Sequence, residues 1–185
     1  YGSESVDVVA PGTDIYSSVA NSILLNETFE SVTTPNIPNG WIKNGNSWGT
    51  YDLEGAWGKV LYGDLAYPYS PNLNTDITSP TYNLNTNGAN ISFWAACDTE
   101  YITSGWADYM QLEYSSDGIN FTPATDPYSG EEFRWDEPTF DILNGDTLSS
   151  DGGSVFYYDS ISIPSQYRTN NFKFRFRWVS NSTDN

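Results

Sequence analysis

The sequence predicts an all-β fold, an antiparallel sandwich with little helix. Three observations lead there. Aromatic residues make up 16% of the chain, with 7 Trp, 14 Tyr and 9 Phe, and such side chains suit the pleated, half-buried surface of a sheet. Short runs alternate apolar and polar residues with a period of two, and no stretch sustains the 3.6-residue repeat of an amphipathic helix. Clusters of Gly, Pro, Asn and Asp separate those runs, which is turn chemistry. A length of 185 residues fits one domain.

The elements follow in order. Ile23 to Glu30 reads as a first strand, and Thr33 to Gly40 as turn sequence. Trp41 and Trp48 bracket Asn44-Gly45-Asn46-Ser47, which has hairpin character. Gly58 to Tyr62 is a short strand, and Tyr67 to Thr75 a long loop. Asp76 to Leu84 is a strand on either side of Pro80. Ala89 to Cys97 is the clearest core strand, with Ile91, Phe93 and Ala95 alternating against Ser92 and Trp94.

Ala107 to Tyr114 sets Tyr109, Gln111 and Glu113 against Met110, Leu112 and Tyr114. Ser115-Ser116-Asp117-Gly118 then turns the chain into Asn120-Phe121. Phe140 to Leu143 and Val155 to Ile163 are further strands, and the region from 115 to 153 carries an elaborated loop. Phe172 to Trp178 alternates strictly: Phe172, Phe174, Phe176 and Trp178 share one face, Lys173, Arg175 and Arg177 the other.

Composition narrows the function. The chain has no histidine, so no Ser-His-Asp or Cys-His arrangement exists within it, and His-rich zinc sites are excluded. The one cysteine, Cys97, cannot form an intrachain disulfide and reads as a small buried hydrophobe. The formal charge is −17. That disfavours nucleic acid and anionic membrane surfaces, which need clustered Lys and Arg. No run of apolar residues is long enough to span a membrane as a helix. Cations and basic surfaces are the natural counterparts.

Two groups of side chains are candidates for binding. Asp98 and Glu100 leave one strand and Asp108 enters the next, so an antiparallel pairing brings the three carboxylates together. Glu30, with Glu27 beside it on the first strand, adds oxygens. Carboxylates so placed repel one another unless a cation intervenes, and calcium takes six to eight oxygens. The expected metal set is therefore Glu30, Asp98, Glu100 and Asp108, against the alternative of a solvated acidic rim. The second group is aromatic: Trp41, Trp48, Trp57, Tyr62, Tyr67, Tyr69 and Trp106 lie in or near loops. They either stack on sugars or pack the core and cap the ends of the sandwich. The stripe Lys173, Arg175 and Arg177 is expected to pair with carboxylates on neighbouring strands.

Val6-Asp7-Val8-Val9-Ala10-Pro11-Gly12-Thr13-Asp14-Ile15-Tyr16-Ser17-Ser18 resembles the strand and turn that subtilases, the subtilisin-like serine proteases, carry shortly before Gly-Thr-Ser-Met-Ala and its nucleophile. That motif does not follow here. The resemblance makes Asp7 part of a structural strand, not a catalytic acid. It divides the chain into a subtilase-like segment and junction over 1–22 and a module over 23–185.

The module has its own resemblance. Glu27-Thr28-Phe29-Glu30, Gly40-Trp41, Asn46-Ser47-Trp48-Gly49, Leu84 to Cys97, Trp106-Ala107-Asp108-Tyr109, Glu113 to Gly118 and Phe174-Arg175-Phe176-Arg177 are similar to the MAM-like jelly-roll modules of secreted bacterial proteases. The resemblance implies a jelly-roll sandwich, a structural calcium, an extracellular location, and a closing strand missing after Asn185 that leaves a sheet edge unpaired. The expectation is a non-catalytic accessory domain of a secreted subtilisin-like endopeptidase, with its host catalytic domain and protein substrate as partners. A carbohydrate-binding module is the alternative, and an adhesion or assembly module the second.

Overall fold

The computed structural model describes residues 18–19, 22–53, 58–64, 70–85, 88–95, 108–125, 134–135 and 156–181. The strands are β1 (Ser18–Val19), β2 (Ser22–Ile23), β3 (Ile42–Asn44), β4 (Gly49–Asp52), β5 (Lys59–Tyr62), β6 (Asn74–Thr78), β7 (Asn90–Ala95), β8 (Tyr109–Ser115), β9 (Thr122–Pro123), β10 (Arg134–Trp135), β11 (Tyr157–Ser162) and β12 (Lys173–Val179). Every pairing is antiparallel. One 3-10 turn, Ser165–Tyr167, is the only helical element among the described residues. No helix among them is long and apolar enough to cross a membrane. The fold is all-β.

The alternating segment makes β12 the middle of a six-stranded sheet of order β10-β8-β12-β6-β3, with β9 also paired to β8. Register fixes its two faces. Phe176 stands between Leu112 and Ile77, and Phe174 opposite Tyr114. Phe172, Phe174 and Ile77 are fully buried, and each such side chain contributes about 1.5–3 kcal/mol relative to leaving it in water. Edge-to-face contacts order this layer: Trp41 on Phe174 at 5.5 Å and Phe174 on Phe176 at 5.9 Å.

A second layer closes the core. β7 and β11 pair from Ala95 with Tyr157 to Asn90 with Ser162. Ile91, Phe93 and Ala95 turn inward, and the Phe93 ring meets Phe176 edge-to-face at 5.4 Å. The alternation read in Ala89–Cys97 sets Ile91, Phe93 and Ala95 on the inner face, but Ser92 is buried as well and only Asn90 and Trp94 of the strand are partly exposed; Ala96 and Cys97 lie outside the described residues. β4 and β5 form a separate two-stranded ribbon.

Pro80 interrupts β6, as a residue without an N–H must. Ser79 bridges the interruption with both its groups. Its N–H donates to the Phe174 carbonyl at 2.9 Å, and its Oγ accepts the Phe174 N–H at 3.1 Å. Pairing then resumes between Tyr82 and Phe172.

Two expectations are corrected. Residues 23–30 do not form one strand: β2 ends at Ile23, and the chain turns at Phe29, whose φ is +62°. Such a backbone cannot continue a pleat. The segment 44–47 is not a hairpin turn. β3 pairs with β6 and β4 with β5, so this loop passes from one sheet to another. Gly45, at φ +91°, makes the passage, and a Cβ there would lie 2.9 Å from Thr75 Oγ1. The segment 140–143 lies outside the described residues.

Candidate functional site

The outward face of the large sheet is a charged ladder. Strand register places Glu113 opposite Arg175, Gln111 and Asp76 on either side of Arg177, and Thr78 beside Arg175. Nε and Nη2 of Arg175 both reach Oε2 of Glu113 at 2.5 Å, and Nη1 of Arg177 approaches Oε1 at 3.4 Å. Arg175 Nη1 also lies 3.4 Å from Asp76 Oδ2, and Arg177 Nε donates to Asn74 Oδ1 at 2.9 Å. The Arg175 guanidinium sits 4.3 Å from the centre of the Phe121 ring. Glu113 is only 2% exposed. Glu113 is buried and the two guanidinium groups are half-buried, so Arg175 and Arg177 of the basic stripe pair with neighbouring carboxylates as the alternation suggests. It offers no free base for proton transfer.

A second polar junction forms around Glu30. Its carboxylate Oε1 accepts the Lys59 N–H at 2.8 Å. The Lys59 ammonium donates to the carbonyl oxygens of Glu30 and Val32, each at 2.8 Å. The turn after Phe29 is thus pinned to β5 by an internal cation. Gly58 allows this approach: a Cβ there would lie 2.2 Å from Glu30 Oε1, and φ is +60°. Just upstream, Glu27 Oε1 accepts the Phe29 N–H at 2.8 Å. Burial raises the Glu27 carboxyl above its usual range, with the Phe29 and Thr28 N–H groups opposing. Burial, and then the Glu27 charge, also raises the Tyr82 hydroxyl.

Of the expected metal set, Glu30 faces Lys59 in this way. Asp108 is 1% exposed, and its Oδ1 accepts the Asn181 N–H at 2.6 Å. Asp98 and Glu100 lie outside the described residues. Among the described residues no group of three or more carboxylate, thiol or imidazole side chains comes together. Glu30 and Asp108 do not by themselves make a calcium cage.

The loop aromatics divide. Trp41 and Trp48 are core residues, 6% and 1% exposed, so for these two the packing alternative describes what they do. Tyr62 is exposed and faces Tyr51 at 6.5 Å on the β4–β5 ribbon. Trp57, Tyr67, Tyr69 and Trp106 lie outside the described residues. A pair missed in the sequence stands on β7 and β11. Trp94 and Tyr158 are directly opposed, with ring centres 5.5 Å apart and planes 57° apart. Tyr158 is 52% exposed. The signal was present, since the alternation that turns Phe93 inward sets Trp94 on the opposite face of the strand, where it is half-buried; its partner needed the β7–β11 register.

Compared with known proteins, the chain matches no family model, no curated protein and no solved structure. The site is therefore read from its own residues.

Proposed function

We propose that this chain is a non-catalytic accessory module of a secreted subtilisin-like serine endopeptidase, built as a MAM-like jelly-roll. The observation that carries the reading is the Val6–Ser18 pattern joined to an all-β chain without histidine. The ladder around Glu113 and the Lys59 junction support it, because both spend their charges on holding strands and turns together. A module of this kind contributes surface to its host: it engages protein substrate or the catalytic domain and works outside the cell.

Calcium-dependent stability is the second part of the proposal. It requires Asp98 and Glu100, and a cation bound only by the folded state would add RT ln(1 + [L]/Kd). Melting in calcium against melting in chelator tests it: a rise with calcium supports it, and identical curves remove it. The non-catalytic reading is tested by incubating the purified chain with casein. No cleavage is expected, and hydrolysis that follows the chain through purification would overturn it.

A further inference from the structure

We draw no further inference here: the strongest candidate, the exposed aromatic patch of Tyr51 and Tyr62 on the β4–β5 ribbon, carries none, because nothing in the structure shows what covers it.

Discussion

Glu113 and Arg175 stand directly opposite on β8 and β12, and the guanidinium closes on one carboxylate oxygen through both Nε and Nη2 at 2.5 Å. Strand register alone places them, since each is the outward residue between two inward aromatic or aliphatic ones.

Glu113 is the buried member of this pair, with its side chain 3% exposed against 23% for Arg175. Glu113→Ala leaves two guanidinium groups facing each other without their shared anion. The loss should be about 2–4 kcal/mol, below the full cost of breaking a wholly buried pair because the arginines reach solvent. Urea unfolding measures it. A double-mutant cycle with Arg175→Ala should return a coupling of about 1–3 kcal/mol; additive losses would mean that the ladder is only a set of neighbours.

Ser79 replaces a strand residue at the Pro80 interruption. Ser79→Ala keeps its N–H bond to Phe174 but strands the Phe174 N–H in the core. An unsatisfied buried donor costs about 1–3 kcal/mol. The expected result is a lower urea midpoint with an unchanged slope, and amide exchange at Phe174 that speeds up more than at Phe176.

Glu27 gives a pH signature. Its folded pKa is raised above the ordinary 4.5 by burial, so protonation favours the fold. The charged form carries a penalty that is present near neutrality and is relieved as pH falls through the folded value. Glu27→Gln keeps an oxygen for the Phe29 N–H and removes the charge. It should be more stable than the parent near neutral pH, with the difference shrinking as pH is lowered towards 4.5. A variant that is less stable at neutrality, or a gap that ignores pH, contradicts this.

Lys59 fills the turn at Glu30 and Val32 with its own ammonium. Lys59→Met should lower the melting temperature by removing two donors to backbone carbonyls, and Gly58→Ala should lower it further by forcing a Cβ onto Glu30. Thermal melts of the two variants check this order. Equal stability of Gly58→Ala and the parent would show that the turn is not held as described.

Much of the fold was legible because period-two alternation is a strong signal where one face is buried. Phe172 to Trp178, Ala89 to Ala95 and Tyr109 to Tyr114 all took the faces that their alternation dictates. The Ser115–Gly118 turn was legible too, since Asp117 caps it: the Asn120 N–H, then its side chain, hold the carboxyl well below its usual range. The 23–30 segment misled because its apolar run hides a left-handed turn at Phe29, a conformation that composition does not announce. The Asn44–Ser47 loop misled because hairpin residues also serve loops that change sheets, and only the pairing partners distinguish the two. Trp41 and Trp48 sit among turn residues, which left sugar stacking and core packing both open in the sequence, and their burial decides for packing.

The central claim is an accessory β-module carried by a protease whose catalytic groups lie elsewhere. Sequencing the coding frame downstream of Asn185 tests it most directly. The account predicts that a Gly-Thr-Ser-Met-Ala nucleophile segment resumes in the same frame. A frame that continues without any such serine segment would contradict it.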